Sequence, residues 1–261
     1  MSNTNPTARQ TNEHSLHGKV ALVAGASRNL GRQIALELAA AGADVLLHFH
    51  SASSAADAEA AVRELRGLGV RAEALQGDLS EVGQIERLFA EGKAAFGRID
   101  IAVNAVGKVL KKPLIETSEA EFDAMFAVNS RAAFFFIREA GRQLEDGGKI
   151  ISIATSLLAA FTGGYSVYAG AKAPLEHFTR AAAKEFAARG ISVNAVAPGP
   201  LDTPFFHGQE NAASTAYLSA ASMNGKLGDI RDIAPIVRFL AGEGWWINGQ
   251  TLFANGGFTA R

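Results

Sequence analysis

Short apolar runs alternate along the chain with longer segments whose apolar residues recur at helical spacing. The apolar runs predict strands at 19–25, 44–49, 71–76, 99–104, 149–154, 191–197 and 250–253. The segments between them predict helices at 29–41, 55–68, 80–96, 118–144, 165–189 and 233–241. This alternation is typical of an α/β protein in which a doubly wound parallel sheet carries helices on both faces. We expect one domain, since no linker or internal repeat interrupts the pattern.

Two stretches depart from this alternation. Residues 1–16 are polar and lack the apolar segment of a secretory signal, so we expect a disordered tail before a domain at 17–261. Residues 201–228 mix aromatic side chains with small polar ones. Such a composition favours an irregular, mobile flap beside a binding site.

Composition narrows the classes of partner. The formal net charge of the chain is −1, so no general positive field favours nucleic acid or an anionic membrane. No apolar run reaches the ~18 residues that a membrane span needs. The chain has no cysteine, which excludes disulfides, thiolate zinc sites and a thiol nucleophile. We therefore expect a cytoplasmic protein with no metal site and no nucleic-acid or membrane partner.

The first strand runs into a glycine-rich turn that precedes a helix. Glycine in this place lets the backbone approach a pyrophosphate at the helix N-terminus, which predicts a dinucleotide site. The spacing is not G-x-G-x-x-G, and an ordinary β–α turn stays an alternative. The residues of the turn that would contact the dinucleotide are Gly25, Ser27, Arg28, Asn29, Leu30 and Gly31.

The end of the second strand indicates which dinucleotide fits. NAD sites usually place a carboxylate there to hold the ribose diol, whereas residues 48–51 read His-Phe-His-Ser. Arg28 lies in the turn, where its guanidinium could reach a 2′-phosphate. We therefore expect NADP(H) rather than NAD(H), with His50 and Ser51 beside the ribose. The alternative is that Arg28 and His50 are solvated surface groups.

A candidate acid–base site lies later in the chain. Tyr168 and Lys172 are one helical turn apart, so both side chains can reach one site. A cation nearby favours the phenolate, and we expect Lys172 to lower the pKa of Tyr168. A hydroxyl at the end of the preceding strand, from Thr155 or Ser156, could bind the same substrate oxygen.

Taken in order, these motifs resemble those of the short-chain dehydrogenase/reductase family from Lys19 to Phe258. The family's T-G-x-x-x-G-x-G turn resembles residues 24–31, and its N-N-A-G resembles residues 104–107. Its Tyr-x-x-x-Lys pair matches Tyr168 and Lys172. Residues 105 and 106 depart from N-N-A-G, and Asn29 replaces the middle glycine of the turn. Asparagine tolerates a positive φ better than most residues, so we expect the turn to survive.

The resemblance implies a Rossmann fold and assigns a role to further residues. It adds Asn129 to the catalytic set and favours Thr155, by its spacing from Tyr168, over Ser156. It also implies cofactor contacts from Asp78, Leu79, Asn104, Gly107, Tyr168, Lys172, Pro198, Gly199, Leu201 and Thr203.

The activity that the resemblance implies is the reversible reduction of a ketone to a secondary alcohol with NADPH, by a homodimer or homotetramer. Three alternatives stay open: a 3-oxoacyl thioester reductase, a pteridine or quinone reductase, and a non-catalytic NADP(H)-binding sensor. We expect a mostly apolar substrate pocket lined by Leu157, Leu158, Phe161, Tyr165, Phe205 and Phe206. Lys108, Lys111 and Lys112 could contact an acyl carrier, although a solvated loop is the preferred interpretation.

Overall fold

The computed structural model describes residues 16–260. These residues form one parallel sheet with the strand order β3-β2-β1-β4-β5-β6-β7. The strands are β1 (Val20–Ala24), β2 (Asp44–Phe49), β3 (Ala72–Gln76), β4 (Ile101–Asn104), β5 (Lys149–Ile153), β6 (Ser192–Pro198) and β7 (Thr251–Ala254). The order reverses direction between β1 and β4, and crevices at such switch points are where doubly wound sheets bind ligands.

Helices cover both faces of the sheet. The helices are α1 (Asn29–Ala40), α2 (Ala55–Gly67), α3 (Val82–Phe96), α4 (Glu119–Phe126), α5 (Ala132–Gln143), α6 (Ser166–Lys172), α7 (Pro174–Glu185), α8 (Pro204–His207), α9 (Ala212–Ala220) and α10 (Ile230–Ala241). Apolar side chains of α1, α2 and α10 pack on one face, and those of α3, α5 and α7 pack on the other. The predicted doubly wound parallel fold is therefore confirmed.

Two of the predicted helices are each divided. The predicted helix at 118–144 begins with a capping box formed by Ser118 and Glu121, but a π-helical turn at Ala127–Arg131 separates α4 from α5. The predicted helix at 165–189 is divided into α6 and α7 at Pro174, which has no N–H and occupies the first position of α7. Ser54 precedes α2, but its side chain makes no capping hydrogen bond.

Residues 201–228 contain two helices, so the prediction of an irregular stretch is wrong. Thr203 caps α8, and Asn211 forms a reciprocal capping pair with Ser214 at the start of α9. The predicted disorder of residues 1–15 lies outside the described residues. Leu16, assigned to the same tail, is instead 5% exposed and packs in the core. Within residues 16–260, no helix is long and apolar enough to span a bilayer.

Candidate active site

A cavity of about 840 Å³ lies outside the carboxyl ends of the strands and joins the glycine-rich turn to Tyr168. Most of the predicted site residues line this cavity. They are Gly25, Ser27, Arg28, Asn29, Leu30, Gly31, His50, Asp78, Leu79, Gly107, Thr155, Tyr168, Lys172, Pro198, Gly199, Leu201 and Thr203. The cavity lining does not include three others, namely Ser51, Asn104 and Asn129. Asn104 instead accepts a hydrogen bond from the Val106 N–H at 3.1 Å.

The glycine-rich turn has the geometry of an anion cradle. Gly25 has a φ of 75°, and Asn29 has a φ of 49°, which bears out the expectation that asparagine can occupy this place. A Cβ added to Gly31 would lie 2.1 Å from the Gly25 carbonyl oxygen, so α1 begins directly against the end of β1. The close approach brings the N-terminus of α1 to the cavity, where its N–H groups suit a phosphate.

A buried histidine that the sequence interpretation did not assign holds this turn in place. The His48 ring is 1% exposed and joins the turn to the neighbouring strand end. Its Nδ1 accepts a hydrogen bond from the Gly25 N–H at 3.1 Å, and its Nε2 donates to the Gly77 carbonyl at 2.8 Å. Burial lowers the pKa of His48 to about 4. One polar residue inside the apolar run 44–49 was the available sequence signal.

Acid is therefore expected to weaken the fold through His48. The unfolded state binds the proton near its ordinary pKa of ~6.5, whereas the folded state resists it until about 4. The stability contribution is complete above the unfolded pKa and is lost as the pH falls through this window, by up to about 3 kcal/mol. Denaturant unfolding of wild type and His48→Gln from pH 7 to 4 measures it, because glutamine keeps a donor and an acceptor without titrating. Equal pH slopes for the two proteins would contradict the assignment.

The groups near the predicted ribose pocket are exposed. Arg28 and His50 are both exposed, and the His50 Nδ1 lies 3.8 Å from a carboxylate oxygen of Asp78. Asp78 also accepts hydrogen bonds from the Ser80 N–H and hydroxyl at 2.9 and 2.7 Å. Burial opposes these contacts, yet together they hold the pKa of Asp78 below its ordinary value. The region thus combines the ionised carboxylate of Asp78 with the exposed guanidinium of Arg28 at the mouth of the turn.

Tyr168 and Lys172 are both buried, 6% and 4% exposed, at the other end of the cavity. The expectation that Lys172 lowers the pKa of Tyr168 is wrong. Burial raises the pKa of the phenol to about 12, although a hydrogen bond with the Thr155 hydroxyl opposes the change. Burial also lowers the pKa of Lys172 to about 8, and its ammonium donates to the Ile153 carbonyl at 2.8 Å. Tyr168 is therefore held as a protonated phenol.

The two candidate hydroxyls have different partners. The Ser156 hydroxyl donates a hydrogen bond to the Ala197 carbonyl in β6 at 2.8 Å, and Ser156 is 1% exposed. Thr155 bonds to Tyr168, and its oxygen also accepts from the Leu157 N–H at 3.3 Å. These contacts favour Thr155 as the group that meets the substrate oxygen.

Asn129 lies in the π-helical turn, and its amide is bonded to backbone. Its Oδ1 accepts from the Lys108 N–H at 3.2 Å, and its Nδ2 donates to the Lys108 carbonyl at 2.8 Å. A Cβ added to Gly107 would lie 3.2 Å from both Asn129 Oδ1 and Lys172 Nζ. Asn129 therefore fixes the loop after β4, and the small Gly107 separates that amide from the lysine.

Known proteins resemble this chain over most of its length. A family model described as enoyl-(acyl carrier protein) reductase matches residues 25–259. A short-chain type dehydrogenase/reductase of Picea abies is 40% identical over 252 residues, with 93% of each chain covered. The chain belongs to the short-chain dehydrogenase/reductase family.

The names of two further similar proteins mention a cofactor. An NADPH-dependent aldehyde reductase-like chloroplastic protein of Arabidopsis thaliana is 36% identical, with 93% of this chain and 95% of that protein covered. A crystal structure of a dehydrogenase from Burkholderia cenocepacia with bound NADP is 54% identical, with a TM-score of 0.93 and coverage of 95% and 96%. The Rossmann fold implied by the family resemblance is confirmed.

The substrate end of the cavity in this short-chain dehydrogenase/reductase is mainly aromatic and apolar. Four of the expected positions line it, namely Leu157, Tyr165, Phe205 and Phe206. The two others do not: Leu158 packs against a core cluster, and Phe161 is fully exposed. The ring centroids of Phe205 and Tyr168 are 6.4 Å apart, so the segment 201–228 meets the reacting end of the cavity.

The preferred interpretation of the lysine loop as solvated is wrong for two of its three lysines. Lys111 forms an ion pair with Glu210, and Lys112 forms one with Glu121 at 2.9 Å. Glu210 is 99 residues from Lys111 in sequence, and the sequence interpretation assigned it no role. Both lysines are therefore engaged within the protein, and Lys111 lies in the cavity wall.

Proposed function

We propose that the protein is an NADP(H)-dependent oxidoreductase that reversibly reduces an uncharged, mostly apolar ketone to a secondary alcohol. One observation carries the proposal. The protonated phenol of Tyr168, its Thr155 partner and Lys172 are buried at one end of the cavity that begins at the glycine-rich turn. The arrangement provides a proton donor and a hydroxyl for one substrate oxygen.

The turn residues fit a phosphorylated dinucleotide. Gly25 and Gly31 leave room for the backbone to approach phosphate, and Arg28 can face a 2′-phosphate. The NADP in the Burkholderia structure and the name of the Arabidopsis relative support NADP(H), as the sequence indicates. When bound, this cofactor supplies a hydride to the carbonyl carbon, and the protein supplies orientation and proton transfer.

The protein's own groups would act on the carbonyl oxygen. Thr155 and Tyr168 would donate hydrogen bonds to it, and the Tyr168 O–H bond would break as the alcohol O–H bond forms. Lys172, which lines the same cavity, would hydrogen-bond the nicotinamide ribose of the bound cofactor. Asn129 would hold the loop that carries Gly107 against Lys172.

The experiment that tests the function is NADPH oxidation with a panel of uncharged aryl and alkyl ketones. The panel also contains a 3-oxoacyl thioester, an enoyl thioester, a quinone and a pteridine, so that each alternative has its own outcome. Turnover of ketones above all others supports the proposal. NADPH binding without turnover of any member would favour the sensor instead.

Arg28→Ala is expected to relax the choice of cofactor. The guanidinium is exposed, so its contact with a 2′-phosphate is screened, and we expect the KM for NADPH to rise roughly tenfold. The KM for NADH should change little. Initial rates with NADPH and NADH measure the ratio of the two KM values. The control is Arg32→Ala, because Arg32 lies one turn further along α1, pairs with Glu64 and does not line the cavity. An equal change for NADH and NADPH would contradict a phosphate contact.

We also propose that the protein self-associates through α4, α5 and α7. Phe122 and Phe134 are 47% and 45% exposed, and an apolar groove between these helices includes Phe126, Phe135 and Phe178. Such a patch is typical of a subunit interface. Light scattering of the purified protein should report a dimer or a tetramer.

A further inference from the structure

A carboxylate is enclosed in the wall of the substrate end of the cavity. The side chain of Glu210, on the loop between α8 and α9, is 1% exposed. One of its oxygens accepts from the Lys111 ammonium, and the other accepts from the Tyr165 hydroxyl. Burial would raise the pKa of Glu210, but these two partners hold it below its ordinary value. Glu210 is therefore an ionised group that faces one cation.

Three segments that line the cavity meet at this carboxylate. Lys111 belongs to the loop after β4, Tyr165 precedes α6, and Glu210 follows α8. The Lys111 ammonium also lies 5.5 Å from the centre of the Tyr165 ring. The backbone N–H of Lys111 donates to the side-chain oxygen of Gln209 at 2.7 Å. The Lys111 side chain is 32% exposed, so it would be available to a ligand if it lost its partner.

From this arrangement we propose that Glu210 is a specificity-determining residue, which neutralises Lys111 and so makes the cavity select uncharged ketones over those that carry a carboxylate or phosphate. The inference rests on the proposed function, since it names the substrate class of the same site. An anion near the pair gains attraction from Lys111 and meets repulsion from Glu210, so its lost hydration is not offset. An uncharged ketone has no such cost.

Four other charged side chains line the same cavity. They are Arg28, Lys108, Lys172 and Asp78. These four groups are the same in every variant at Lys111 or Glu210. Their contribution to anion binding therefore cancels when the ratio of dissociation constants for a charged and an uncharged probe is compared between variants. The comparison therefore isolates the ion pair.

The experiment uses two probes of one shape, acetophenone and its para-carboxylate. Each is titrated calorimetrically into the protein with NADP+ and without it, and each is tested for reduction with NADPH. Glu210→Gln should shift the ratio of the two dissociation constants roughly tenfold towards the carboxylate, because Lys111 is then unpaired. Lys111→Met should shift the same ratio the other way. The double variant should return near the wild-type ratio.

The neighbouring ion pair supplies a matched control. Lys112 and Glu121 also join the loop after β4 to a helix, but neither residue lines the cavity. Glu121→Gln should leave the ratio unchanged. Equal weakening of both probes by Glu210→Gln and Lys111→Met, with no change in the ratio, would show a purely structural pair and overturn the inference. Because binding is measured separately from reduction, a wild type that reduces no ketone would reject the proposed function without deciding the role of Glu210.

Discussion

Tyr168→Phe is expected to remove turnover while the fold and NADPH binding remain. The phenol is the proposed proton donor, and burial keeps it protonated with a pKa of about 12. A positioned acid contributes roughly 10²- to 10⁴-fold to the rate, so we expect kcat to fall by about that range. The ring that packs among Met125, Val167 and Ala171 is retained. The loss of one hydrogen bond with Thr155 costs about 1 kcal/mol of stability.

The nearby Tyr165 provides the control. It lines the same cavity, and its ring centroid lies 6.2 Å from that of Tyr168, but its hydroxyl donates to Glu210. Tyr165→Phe should therefore keep kcat within about tenfold of wild type. Steady-state rates, the dissociation constant for NADPH and thermal unfolding are measured for both variants. Near-wild-type turnover in Tyr168→Phe would reject Tyr168 as the donor.

The sequence predicts the five central strands of the sheet well because these strands are mostly buried. A short run such as 20–24, which is apolar throughout, is typical of a strand buried on both faces. The parallel arrangement follows because helices alternate with the strands along the chain. The divided helices were not predictable in the same way. The apolar period continues through Asn129 and Pro174, and only tertiary contacts, such as that of Asn129 with Lys108, show where the helix changes.

The sequence predicts which residues line the cavity better than it predicts the pKa values and ion pairs of those residues. Spacing along a helix shows that Tyr168 and Lys172 share a face, but it gives no measure of burial, and burial decides the direction of the pKa of Tyr168. The Lys111–Glu210 pair joins residues on two separate loops, and no sequence pattern connects them. The role of His48 was not predictable for a related reason, since its partners are backbone groups of Gly25 and Gly77, which follow β1 and β3.

The second large effect is expected from Gly31→Ala, which adds one methyl group to the phosphate-binding turn. The Cβ would lie 2.1 Å from the Gly25 carbonyl oxygen and 2.8 Å from its carbon, and neither backbone atom can rotate away. Relief requires α1 to move from the end of β1. We expect a loss of about 3 kcal/mol in the free energy of unfolding. The affinity for NADPH should fall further in Gly31→Ala than in Arg28→Ala, because the movement of α1 displaces every N–H group at its start.

Gly83→Ala is the matched substitution without a clash. Gly83 lies in the first turn of α3, and an added Cβ would meet no atom within 4 Å. Alanine there should stabilise the protein by up to about 1 kcal/mol, since it lowers the entropy of the unfolded chain and favours the helix. Chemical denaturation of both variants, with and without NADPH, is the measurement. The free energy of unfolding should fall in Gly31→Ala and rise in Gly83→Ala, although both variants add one methyl group. If Gly31→Ala unfolded at the same denaturant concentration as wild type and bound NADPH as tightly, the close approach of α1 to β1 could not be what shapes the phosphate site.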